Sequence, residues 1–115
     1  MIVRAALMNH RISAQKARLV VNSIRGLGVE DALNALSVSG KGFAAPLAKL
    51  LRSAVANAED KNNSKQAGID VDRLVVSRIT VDEGPSLWRI RPRAQGRAAW
   101  IQKRTSHVRV ELDER

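Results

Sequence analysis

The chain is expected to fold as α+β: about three helices packed on a small antiparallel β-sheet, with a long protruding basic β-hairpin. Three observations predict this. Apolar residues recur at helical spacing between residues 13 and 60, and β-branched alternation replaces that period after residue 74. Turn formers then bracket two basic arms between the last two strands. A length of 115 residues suits one domain, spanning 1–115, with one core, and no internal repeat suggests a second.

Residues 2–8 read as a short extended segment. Ser13 follows as a helix N-cap, with Ala14, Ala17, Val21 and Ile24 on one face and Val20 widening the stripe. Gly26 and Gly28 are expected to end this first helix through a left-handed cap. Arg18 and Arg25 lie seven apart on another face, with Lys16 not far around, so one side packs and the other is expected to meet phosphate. A short second helix is expected over about Val29 to Leu36, burying Val29, Ala32, Leu33 and Leu36. Glu30 and Asp31 sit favourably at its positive end. Ser37 to Gly42 reads as a loop.

The third helix is expected from about Ala44 to Asp60. Leu47, Leu50, Leu51, Ala54, Val55 and Ala58 follow the helical pattern, and Pro46 falls in the first turn, where no intrahelical donor is needed. The polar run Asp60–Lys65 predicts a solvated loop. Leu74–Val81 and Thr105–Leu112 read as strands, the second with Val108, Val110 and Leu112 alternating.

Between those strands, Gly84-Pro85 and Pro92 through Gly96 bracket the arms Ser86–Arg91 and Arg97–Arg104. The economical reading is an extended hairpin at about 84–104 with Pro92, Arg93, Ala94, Gln95, Gly96 and Arg97 at its tip. At ~3.3 Å per residue, an arm of about ten residues reaches roughly 30 Å. A two-stranded ribbon is marginal alone in water, and this one repels itself, so it makes sense only inside an anionic wall.

Composition narrows the function classes. The formal net charge is +9, from 20 Lys plus Arg against 11 Asp plus Glu, and there is no cysteine. That excludes a disulfide framework, a thiolate nucleophile and any cysteine-bearing zinc site. No apolar run approaches the ~20 residues of a membrane span. The opening Met1–Met8 is too short and too poorly flanked for a secretory signal, so an intracellular protein is expected.

The charge is segregated. Residues 1–29 carry Arg4, Arg11, Lys16, Arg18 and Arg25 without an acid, and residues 84–110 carry Arg89, Arg91, Arg93, Arg97, Lys103, Arg104 and Arg109 without one. Between them bases and acids nearly cancel. A surface chosen only for solubility mixes signs throughout. The 14 arginines against 6 lysines favour planar, bidentate contact with phosphate. A polyanionic partner is expected, with the hairpin as an arm that penetrates RNA or DNA.

Catalysis finds no support. Asp82 and Glu83 are adjacent on a strand and point to opposite faces, so they shape the turn or pair with a nearby arginine. His10 and His107 are too few for a histidine metal site. A nucleoid-type architectural DNA-binding protein also combines helices with a basic ribbon bearing proline at its tip, and composition alone does not separate it.

The words themselves do. Ser13-Ala-Gln-Lys-Ala-Arg-Leu-Val-Val21 with Ile24-Arg-Gly26, Ser53-Ala-Val-Ala-Asn-Ala-Glu59, Val81-Asp-Glu-Gly-Pro85, Arg91-Pro-Arg-Ala-Gln-Gly-Arg97 and Lys103-Arg-Thr-Ser-His107 resemble the ribosomal protein L twenty-two family of the large subunit. The five blocks run in order over about residues 10–112. The resemblance implies a non-enzymatic structural protein without a cofactor that binds large-subunit (23S-type) rRNA and supports subunit assembly. It also implies a hairpin lining the nascent-polypeptide exit tunnel beside a loop of ribosomal protein L four, and hence contact with the nascent chain.

On matching positions it implies rRNA contacts by Arg11, Ser13, Gln15, Lys16, Arg18 and Arg25 from the first helix region. Arg89, Arg91, Arg93 and Arg97 would make them from the hairpin, and Lys103, Arg104, Ser106 and His107 from its base. Gln95 and Gly96 would face RNA or the tunnel lumen. No membrane insertion and no homo-oligomer are expected, and the place is the ribosome of a cytoplasm, or equally of an organelle matrix. Trp88 and Trp100 depart from the family, standing where basic or charged residues are common. Stacking on a base, worth about 1–3 kcal/mol, and packing on each other or on a neighbouring protein both remain open. The loop at about Lys61–Gly68 looks longer than the common bacterial form.

Overall fold

The structure, a computed structural model, describes residues 2–65 and 68–114. Strand β1 spans Val3–His10 and leads into helix α1, Ala14–Asn22. Ser13 caps α1 as expected: its backbone is extended and its Oγ accepts from the Lys16 amide at 3.4 Å. Ala14, Ala17, Val20, Val21 and Ile24 are all buried.

The end of α1 differs from expectation. Ser23 closes the helix, its hydroxyl donating to the Val20 carbonyl at 2.6 Å. Gly26, at φ +76°, instead forms a corner three residues on, where its amide donates to the Val76 carbonyl at 3.1 Å. Gly28 is the N-cap of helix α2, Val29–Ser37. The helical run tightens before the glycines are reached, with the Ser23 amide donating to the Val20 carbonyl and the Ile24 amide to the Val21 carbonyl.

Val29, Ala32 and Leu36 of α2 are buried and Leu33 is half-buried, with Glu30 and Asp31 in the first turn. Helix α3 runs from Ala44 to Lys65, so the expected loop at Asp60–Lys65 is helical throughout. Polar contacts across the chain hold that extension. The Asn62 carboxamide donates to the Ile69 carbonyl at 2.6 Å and accepts from the Ile69 amide at 2.7 Å. Ile69 is thereby drawn into the core. Of the stretch thought to be an elongated loop, residues 66 and 67 lie outside the described residues.

A three-stranded antiparallel sheet has the order β1-β5-β2, with β2 at Leu74–Glu83 and β5 at Ser106–Glu114. The last strand is therefore central. The helices cover one face, burying Val3, Leu74, Val76, Ile79, Val81, Val108, Val110 and Leu112 against Leu47, Leu51 and Ile24. A register shift between Val76 and Arg78 lets Val76 and Ile79 both face inward, although they are three residues apart.

Both outer edges of this sheet are met by helix side chains. Along β1, Asn57 of α3 donates to the Arg4 carbonyl at 2.9 Å and Lys61 to the Ile2 carbonyl at 3.4 Å. Along β2, Arg18 of α1 donates to the Val81 carbonyl at 2.8 Å and Arg25 to the Ile79 carbonyl. The solvent face alternates charge, with Arg4 on Glu111 at 3.0 Å and Arg109 on Asp82 at 3.1 Å.

The hairpin is a separate two-stranded sheet of β3, Leu87–Pro92, and β4, Ala98–Lys103. All six residues of β3 are exposed, and the molecule measures 64 × 28 × 16 Å. The ribbon buries almost nothing of its own.

Candidate nucleic-acid interface

The ribbon's register sorts its side chains. Trp88 faces Gln102, Ile90 faces Trp100 and Pro92 faces Ala98, while Leu87 faces Lys103, Arg89 faces Ile101 and Arg91 faces Ala99. Side chains alternate between faces along a strand. One face thus carries no charge, and the other carries Arg89, Arg91 and Lys103. Ile101 and Ala99 on the cationic face are half-buried, in keeping with aliphatic arginine stems lying over them.

At the tip, Gln95 (φ +61°) and Gly96 (φ +72°) are both left-handed, and the Arg93 amide donates to the Arg97 carbonyl to close the turn. Arg93 and Arg97 flank this turn in full exposure, with Pro92, Ala94 and Gln95 also exposed. The turn itself covers residues 93–97; Pro92, expected at the tip, is instead the last residue of β3 and pairs with Ala98.

The base of the ribbon is tightly built. Gly84 donates to the Thr105 carbonyl at 2.9 Å, and the Thr105 hydroxyl donates to the Pro85 carbonyl at 2.6 Å. A Cβ on Gly84 would lie 2.6 Å from Thr105 Oγ1 and 3.1 Å from His107 Cε1, so no larger residue fits without displacement. His107 Nδ1 accepts from the Asn9 amide at 3.0 Å, where Asn9 takes φ +56° at an irregularity of β1. Ser106 donates to the Ile12 carbonyl at 2.7 Å.

These contacts bring two of the predicted clusters together. Arg11, Ser13, Gln15 and Lys16 at the start of α1 lie beside Arg104 and His107 at the ribbon base, because Ile12 and Asn9 are held by Ser106 and His107. Arg11, Gln15, Lys16 and Arg104 are exposed; Ser13, Lys103 and His107 are half-buried. The first turn of α1 contains no acidic residue.

Ser106 does not belong to that surface. It is fully buried with its hydroxyl already donated, so the expected RNA contact is corrected to a support beneath the surface. Arg18 and Arg25 are exposed but each spends a donor on a β2 carbonyl, so they fasten α1 and the turn after it to the sheet while keeping their charge outward. Asp82 pairs with Arg109, as an arginine partner for that acid predicts.

Lys41 escaped the sequence reading, and His10 entered it only as a candidate metal ligand. With Arg11, Lys16, Leu19 and Phe43 they line a groove of about 510 Å³ beside α1. His10 packs against Phe43 at 5.3 Å between ring centroids. The available signal was a lysine set between two glycines, Gly40 and Gly42.

Among the described residues no group of His, Asp and Glu gathers to hold a metal ion, and no helix is long and apolar enough to cross a membrane. The sequence matches the family model of Ribosomal protein L22p/L17e over residues 5–113. That range takes in α1, the sheet and the whole ribbon. The chain belongs to this family of structural, non-enzymatic ribosomal proteins, and its place is the large subunit of the ribosome.

Proposed function

We propose that the chain binds large-subunit rRNA through two joined surfaces, the basic ribbon and the start of α1 with the ribbon base. The observation that carries this is the ribbon itself: a 27-residue segment, 84–110, without one acid, whose two strands form a sheet only with each other among the described residues, β3 being exposed along its whole length. Such an element gains order only when phosphate surrounds it. Arg89, Arg91, Arg93, Arg97, Lys103 and Arg104 supply the ribbon's phosphate contacts. Arg11, Ser13, Gln15, Lys16, Arg18, Arg25 and His107 supply those of the body, while Ser106 holds the two parts in register.

In the same reading the protein supports assembly of the subunit. Its ribbon lines the nascent-polypeptide exit tunnel beside a loop of ribosomal protein L four, with Gln95 and Gly96 nearest the tunnel or its RNA wall. Family membership and the ribbon's reach support this placement.

Binding of the purified chain to large-subunit rRNA and to duplex DNA of equal length, across a salt series, tests the reading. Tight RNA binding that survives moderate salt while DNA is lost early is expected, since phosphate neutralisation provides affinity and folded RNA shape provides specificity. Equal affinities with one steep slope would return the chain to the class of architectural DNA-binding proteins.

A further inference from the structure

We propose that the uncharged face of the ribbon, built on Trp88, Ile90 and Trp100, stacks on unpaired bases of RNA while the opposite face neutralises the phosphates. The inference rests on the RNA-binding reading above and deepens it. Trp88, Ile90 and Trp100 are 55%, 58% and 67% exposed, far more than large apolar side chains need be in a finished protein. No ring of the chain covers them, since among the described residues the aromatic contact is His10 with Phe43.

Their arrangement suits bases. Trp88 faces Gln102 and Trp100 faces Ile90, so the two indoles are diagonal neighbours on one face. Diagonal neighbours have Cα atoms about 7–8 Å apart, roughly twice the ~3.4 Å rise between stacked bases. That separation leaves room for one base between the rings. Gln102 donates to Ser86 Oγ at 2.9 Å, so the polar group beside Trp88 is already engaged and leaves the ring's surface apolar.

Charge selects RNA over a protein as the occupant. The cations of Arg89, Arg91 and Lys103 stand one strand-thickness behind the rings, and Arg93 and Arg97 stand at their end. Unpaired RNA offers a flat apolar surface and an anionic backbone within one partner, and a ribbon that alternates aromatic and cationic residues reads both.

Trp88 and Trp100 are the two tryptophans of the chain and there is no tyrosine, so indole emission reports on this face alone. The full chain is titrated with oligoadenylate and with a blunt RNA duplex of equal phosphate number, binding being followed separately by anisotropy of a label on the RNA. Oligoadenylate is expected to quench most of the emission, and the duplex little of it. The double variant W88L/W100L should lose about tenfold per ring in affinity for oligoadenylate and little for the duplex.

Labelled RNA that binds while emission and iodide accessibility stay unchanged would overturn the stacking proposal and leave RNA binding standing. Failure of both RNAs to bind at low salt would bring down the RNA-binding reading and this proposal with it. Emission that shifts to the blue only inside the assembled subunit, without quenching by RNA alone, would assign the face to a protein neighbour and overturn the proposal.

Discussion

The Ser106 hydroxyl donates to the Ile12 carbonyl at 2.7 Å, across 94 residues of sequence and at zero exposure. One hydrogen bond thus ties the root of the basic ribbon to the entry of α1. Replacing Ser106 by Ala leaves that carbonyl without its partner in a dry site, at a cost of about 1–3 kcal/mol. Urea denaturation followed by circular dichroism should show the loss, and rRNA affinity should fall through misalignment of the two surfaces rather than through lost charge.

Gly84 occupies the closest approach in the same corner. Gly84→Ala drives a methyl against Thr105 Oγ1 and His107, and should destabilise the fold by about 1–3 kcal/mol. Gly40→Ala meets nothing within 4 Å and should change stability by less than about 0.5 kcal/mol. Comparing the two midpoints checks that crowding, and not the mere loss of a glycine, is responsible.

Arg91, Arg93 and Arg97 are exposed, and among the described residues their side chains make no hydrogen bond or ion pair. Their joint replacement by Ala should leave the thermal midpoint of the body unchanged while reducing the slope of log affinity against log salt by about two to three. An unchanged slope would remove the ribbon from the phosphate contacts.

Arg18 and Arg25 should behave differently. Each holds a carbonyl of β2, so Arg25→Ala costs about 0.5–1.5 kcal/mol of stability besides weakening RNA attachment. Denaturation and RNA titration of the same variant separate the two effects, and a variant of full stability would show that the bond to Ile79 contributes nothing.

In the free protein, the amides of residues 88–100 should exchange with little protection, while those of β5 should exchange last. The ribbon has no core beneath it, whereas β5 is paired on both sides and buries Val108, Val110 and Leu112 completely. Mass-resolved hydrogen exchange with and without rRNA measures both.

The sequence made the helices legible through their apolar period, the strands through their β-branched residues, and the ribbon through the turn formers that bracket its basic arms, Pro92 and Gly96 among them. What it concealed was non-local. Residues 60–65 are polar enough to read as loop, yet Asn62 finds Ile69 and the helix continues. Arg18 and Arg25 read as free charge because nothing in their spacing names the carbonyls they hold. Ser106 was legible after all: the alternation that turns Val108, Val110 and Leu112 inward also turns Ser106 inward. Its hydroxyl drew attention to chemistry and away from position.

A chain with an exposed arm gains from features that keep its copies from joining one another. An open sheet edge is a template on which a second copy adds a strand. Here Asn57 and Lys61 stopper one edge of the body and Arg18 and Arg25 the other. Among the described residues the ribbon's strands carry no such stoppers, and there like charge drives copies apart. Aggregation is therefore opposed twice, by plugged edges on the body and by mutual repulsion on the arm, and RNA relieves only the second.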